Sequence, residues 1–124
     1  MAKYMNPNVI DLALNDIKTN ANKLVVCAQQ PTTFAEANVT YALGSVAMTS
    51  ADYTLANGDV SGRKVTVAAK AAVPVTVSGT ATHVALIDTV NSVLKLVTTT
   101  TSTAVAAAGT VDVGSFKDEI QAPA

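Results

Sequence analysis

Valine at every second position is the feature that most constrains this chain. In RKVTVAAK, Val65, Val67 and Ala69 alternate with Lys64, Thr66 and Ala68; in VPVTVSG, Val73, Val75 and Val77 share one side. A period of two sends successive side chains to opposite faces of a strand, so each stretch carries one apolar face that must find cover. Turn dipeptides such as Asn57-Gly58 and Ser61-Gly62 recur about every 8–12 residues, the spacing of an antiparallel sandwich or barrel. The expectation is a mainly β chain. It is an antiparallel β-sandwich, jelly-roll-like, in a single domain over 1–124, with an N-terminal helix at about 7–20 and extended terminal tails.

The helix is announced by its start and its period. Asn6 is a capping residue and Pro7 fits a first turn, where a missing N–H costs nothing. Ile10, Leu14, Ile17 and Ala21 then fall on one face of a 3.6-residue repeat, with Asp11, Asn15 and Lys18 on the other. Leu24 to Ala28 is a compact apolar run, as in a strand buried on both faces. Thr33 and Glu36 have capping-box spacing and predict one helical turn within Thr32 to Asn38. Tyr41 to Met48 reads as a strand in which Gly44 marks a bulge or close backbone approach. Pro74 confines its strand to an edge or a bulge. THVALID and VLKLV, separated by Thr89 to Ser92, predict a hairpin, and Thr110 to Phe116 predicts the last strand. In the low-complexity stretch from Thr98 to Gly109, the threonines favour extended chain and the alanines a short turn. Val65, Val67, Val75, Val77, Leu86, Leu94 and Leu96 are the expected core.

Composition excludes more than it identifies. Ala, Val and Thr make up 57 of the 124 residues, and charged residues only 14%, against a usual ~25%. The net charge of −1 argues against a nucleic-acid binder, which needs a basic face. No run approaches the ~18 apolar residues of a membrane helix, so no membrane partner is expected. The opening lacks a secretory leader, which suggests folding in a reducing cytoplasm. Cys27 is the one cysteine and allows no intrachain disulfide. Its apolar strand suits a small buried hydrophobe better than a reactive thiol. His83, the one histidine, has no partner of the kind acid–base chemistry or zinc requires. Asp52, Asn57 and Asp59 lack calcium-loop spacing, and Ser61-Gly62-Arg63-Lys64 lacks the phosphate-loop pattern. No cofactor, metal or enzymatic activity is expected.

A resemblance adds to this. The run SGRKVTVAA (Ser61 to Ala69), the run TVSGTATHVALIDTVNSVLKLV (Thr76 to Val97), the Thr-rich stretch and the closing VDVGSFKDEI (Val111 to Ile120) resemble a family of small virion proteins of tailed bacteriophages. So does the N-terminal helix leading into ANKLVVCAQQPTTFAEA (Ala21 to Ala37). The resemblance implies a structural component of the particle, foremost a capsid decoration (cement) protein on the phage head, made in the host cytoplasm. The expected partners are the major capsid protein and copies of the chain itself, with a trimer as the expected order. A neck, tail or head-fibre component, or a receptor- or carbohydrate-binding module, is the alternative. Contacts are expected at residues 1–8 and 115–124. They are assigned to Tyr4, Met5, Phe116 and Ile120 as apolar anchors and to Arg63, Lys64, Asp118 and Glu119 as charged partners.

Overall fold

The computed structural model describes residues 4–122, so the contacts expected at 1–3 and 123–124 lie outside the described residues. Among the described residues one α-helix, α1 (Pro7–Asn20), precedes nine strands. These are β1 (Lys23–Cys27), β2 (Ala42–Ala47), β3 (Tyr53–Asn57), β4 (Arg63–Val67), β5 (Lys70–Pro74), β6 (Gly79–Asp88), β7 (Val93–Val105), β8 (Thr110–Val113) and β9 (Phe116–Ile120). All pairings are antiparallel. The strands form a four-stranded sheet in the order β2-β1-β6-β7, a three-stranded sheet β3-β4-β9 and a two-stranded sheet β5-β8.

The larger core lies between these sheets. Leu24, Val26, Leu43, Val84 and Leu86 come from the four-stranded sheet and meet Tyr53, Val65, Val67, Val73 and Val113 from the other two, with Leu14 and Ile17 of α1. The molecule is thus mainly β and sandwich-like, with α1 packed chiefly against β3 and β4. β1 is buried on both faces, as its unbroken apolar run predicts. Its other face, Val25 and Cys27, joins Ala37, Ala85 and Ile87 in a smaller core. Phe34 and Tyr41 pack against that core.

Local rules account for most elements. The Asn6 side chain accepts the Asn8 N–H at 2.8 Å and starts α1, whose buried face is Ile10, Leu14 and Ile17. At the other end the Tyr53 hydroxyl donates to the Ala21 carbonyl at 2.7 Å, satisfying a group that a helix terminus leaves open. The turn after Thr32 is π-helical, over Glu36–Thr40. Thr33 Oγ1 caps the Glu36 N–H at 3.2 Å, while the Glu36 carboxylate reaches back to the N–H and hydroxyl of Thr32 rather than to Thr33. Asp88 closes the β6–β7 hairpin by accepting from the Val90 and Asn91 N–H groups at 2.9 and 3.1 Å. The Thr-rich stretch extends β7 to Val105, and the alanines after it form a turn with Ala108 at φ 69°.

Four expectations need correction. Val77 is 51% exposed, not core. β5 ends at Pro74, and the N–H groups of Thr76 and Val77 both converge on the Leu43 carbonyl, a bend that breaks the alternation. Leu94 and Leu96 are half-buried and pack against different cores. Leu86 pairs with Leu96 but Ile87 pairs with Leu94, so a bulge at Lys95 turns the two leucines to opposite sides. The strand expected over Thr110 to Phe116 is two strands, β8 and β9, broken at Gly114 and Ser115. Ala69 lies beyond β4 and is exposed.

Candidate interaction surface

Three surface features stand out: the outer side of α1, the charged ladder across β4 and β9, and the free edge of β7. The first begins at the two N-terminal anchors expected from the sequence. Tyr4 is 79% exposed and Met5 43% exposed, just ahead of the cap. Val9 and Leu12, at 52% and 70%, continue the apolar surface along the helix. Val9 and Leu12, three residues apart in α1, lie on a side of the helix turned away from Ile10, Leu14 and Ile17. α1 therefore has two apolar stripes, one buried and one open. The sequence pattern sets Asp11, Asn15 and Lys18 opposite the buried face and leaves Val9 and Leu12 unassigned. Their i, i+3 spacing was the signal.

Three of the four charged candidates, Arg63, Lys64 and Glu119, serve the chain's own structure. Arg63 Nε donates to Asp11 Oδ1 at 2.8 Å and Arg63 Nη1 to Asn57 Oδ1 at 2.7 Å, tying α1 to β4. Lys64 Nζ lies 2.6 Å from Asp59 Oδ1, and Lys117 pairs with the other oxygen of the same carboxylate. Glu119, in register with Lys64, accepts the Asp59 N–H. Asp118 lies opposite Val65 on β9, between Phe116 and Ile120, and takes part in none of these pairs. Phe116 and Ile120 pack against the larger core. The C-terminal segment from 116 to 120 is thus a strand of the domain's own sheet, where the sequence suggested an extended docking tail.

The edge of β7 is the third feature. Among the described residues β7 pairs with β6 alone. A cleft of about 500 Å³ runs beside it, lined by Thr98 to Thr101 on one side and by Val113 to Phe116 on the other, with Val84 at its floor. Val84 and Val113 belong to the larger core and Phe116 packs on it, so the cleft opens between the four-stranded sheet and the β8–β9 junction, where β7 bulges after Thr99.

The titratable groups follow from these contacts. Hydrogen bonds from Lys117 and then Lys64 hold the Asp59 carboxyl well below its ordinary 3.8, at about 2. The Lys95 ammonium, 2.8 Å from Asp16, lowers that carboxyl, and Lys70 at 2.8 Å does the same for Asp52. Asp88 is lowered by the side chain and backbone of Asn91. Each group is more acidic folded than unfolded, so its contribution to stability is complete above the ordinary value and lost as pH falls through the folded one. The melting temperature is expected to be flat from about pH 5 to 8 and to fall steadily from about pH 4 toward pH 2. A thermal-melt series across that range checks it; a maximum below pH 4 contradicts it. Burial pushes the Cys27 thiol up to about 11, so it is protonated at neutral pH. His83 Nδ1 lies 2.8 Å from the Thr82 hydroxyl on a half-buried stretch of β6.

Among the described residues no three of His, Cys, Asp and Glu gather as a metal site, and no helix is long and apolar enough to cross a membrane. No family model matches the chain, and neither the curated proteins nor the solved structures yield a match.

Proposed function

We propose that this chain is a non-enzymatic structural protein of a tailed-bacteriophage particle, a decoration (cement) protein that stabilises the head. The observation that carries the reading is the open apolar stripe of α1 with Tyr4 and Met5 ahead of it. Contiguous exposed apolar surface marks a place where another protein sits. The sequence resemblance to small virion proteins supplies the kind of protein: the major capsid protein of an assembled shell, with further copies of this chain alongside. The particle head is then its location, after synthesis in the host cytoplasm.

The mechanism needs no chemistry. A protein that binds the mature shell and not its dissociated subunits stabilises the shell by mass action. Burying one Val or Leu side chain is worth ~1.5–3 kcal/mol, part of which is lost in ordering the segment at ~1–2 kcal/mol per residue. One contact is therefore weak, and the effect on a shell comes from many copies.

The test is co-sedimentation with undecorated shells. Val9→Asp and Leu12→Asp change exposed positions, so the fold should survive them. Each is expected to weaken shell binding by at least about tenfold, since ~1.4 kcal/mol is tenfold, with an unchanged melting temperature. Wild-type protein that stays in the supernatant, or variants that sediment as well as wild type, would remove the proposal. Copy number per particle separates head decoration, at hundreds, from a neck, tail or fibre role.

A further inference from the structure

We infer that Asn57-Gly58 is a spontaneous deamidation site that the fold holds closed, and that Arg63 is its latch. The chain has a single Asn-Gly pair, and it falls at the end of β3. In such a pair the main-chain nitrogen of the glycine attacks the side-chain amide carbon of the asparagine. Glycine obstructs that approach least, because it has no Cβ. The bond from Gly58 N to Asn57 Cγ forms and the Cγ–Nδ2 bond breaks. The Gly58 amide proton leaves with Nδ2 as ammonia. Water then opens the five-membered imide at either carbonyl, giving aspartate or isoaspartate.

The fold keeps both halves of the reactive pair for its own reasons. A Cβ at position 58 would lie 2.0 Å from the Ser61 carbonyl oxygen and 2.8 Å from Glu119 Oε1, so the loop over 58–62 requires a glycine there. The Asn57 side chain is also in use. Its Oδ1 accepts from Arg63 Nη1 at 2.7 Å, while Arg63 Nε donates to Asp11 of α1.

The same contacts restrain the chemistry. Attack requires a Gly58 nitrogen free of its hydrogen bond, a 57–58 peptide turned toward Cγ, and a side chain free to meet it. The Gly58 N–H donates to the Gly62 carbonyl at 2.9 Å. Asn57 pairs with Arg63 at the last rung of the β3–β4 ladder. Beyond that rung the loop is pinned by the Asp59 N–H on the Glu119 carboxylate and by the Ala122 N–H on Ser61 Oγ at 3.1 Å. Arg63 holds the Asn57 amide by its oxygen. Asn57 is exposed, so hydrogen bonding rather than burial protects it, and the reaction runs through local opening of the loop. Opening is reversible until the imide forms. Isoaspartate then lengthens the main chain by one carbon at the rung where Asn57 faces Arg63, and Arg63 is also the partner of Ile120 on β9. The original register cannot close again. The inference does not rest on the shell reading, and its test uses the purified chain alone.

The experiment holds full-length protein at mildly alkaline pH, folded in buffer or unfolded in denaturant. Peptide mapping by mass spectrometry reads amide-to-acid conversion at Asn57, with Asn91 as the reference in the same sample. Folded wild type is expected to convert at Asn57 at least about tenfold more slowly than the unfolded chain, equivalent to ~1.4 kcal/mol of opening. Equal rates in the two states would overturn the inference, whatever the variants do. Arg63→Ala is expected to raise the folded rate at Asn57 severalfold and to leave Asn91 unchanged. Asp11→Asn cuts the tie to α1 but spares the contact between Arg63 and Asn57, and should react like wild type. The latch is refuted if Arg63→Ala leaves the Asn57 rate unchanged or slows it, if Asn91 accelerates in step, or if Asp11→Asn accelerates Asn57 as much.

Discussion

Leu24→Ala is expected to cost about 2–5 kcal/mol of stability, measured by urea unfolding. Leu24 is fully buried at the middle of the four-stranded sheet and touches the core shared with α1 and the opposing sheets. Its side chain is enclosed from both layers, so the cavity has little freedom to collapse, and cavity volume sets the upper part of that range. A domain of this kind holds only ~5–15 kcal/mol in all. The same change at Leu94, which is half-buried, should cost clearly less. Equal losses at the two positions would contradict the assignment of Leu24 to the centre.

Gly44→Ala is expected to destabilise by about 1–3 kcal/mol or more, for a different reason. A Cβ at position 44 would lie 2.3 Å from the Pro74 carbonyl oxygen and 3.2 Å from the Val75 Cα, both backbone atoms that cannot rotate away. The segment after β5 must then move off β2. That movement frees the edge which the Leu43 carbonyl and Val75 now close. The variant should therefore show a lower melting temperature. A variant that melts like wild type would show that the close approach is not rigid.

The parts legible in the sequence were those set by neighbours along the chain. α1 was readable because Asn6, Pro7 and the Ile10–Leu14–Ile17 period are local signals. The β6–β7 hairpin was readable because its turn lies between two apolar runs. Gly44 was readable as a close approach, although nothing local says that Pro74 is what approaches. The misreadings come from contacts made at a distance. Val77 leaves its strand because a carbonyl 34 residues earlier, on Leu43, accepts its N–H. Leu94 and Leu96 separate because β6 and β7 slip by one residue between Leu86 and Ile87. Arg63, read as a grip for a partner's carboxylate, finds Asp11 of its own helix. Tyr53 is buried with its hydroxyl on the end of α1, a role set by a residue 32 positions away that no local signal announces. In the interaction surface, Tyr4 and Met5 were legible as apolar residues outside the first helix. Val9 and Leu12 were not, because Ile10 and Asp11 between them belong to the buried and the charged sides of the helix.

The pairing of β9 with β4 sets an order of events during synthesis. Val65 and Val67 of β4 gain β3 as soon as the first hairpin leaves the ribosome, but their other neighbours, Asp118 and Phe116, follow about 50 residues later. At ~5–20 residues per second this is roughly 3–10 s of translation. Throughout that interval two valines that end fully buried lie in a two-stranded ribbon, and a ribbon of that size has little stability alone. The nascent chain thus spends seconds with a β4 edge open to the wrong strand, and the uncharged Thr-rich segment of β7 emerges within that interval. A chaperone that shields β4 should raise the yield of folded protein, and slow translation should lower it.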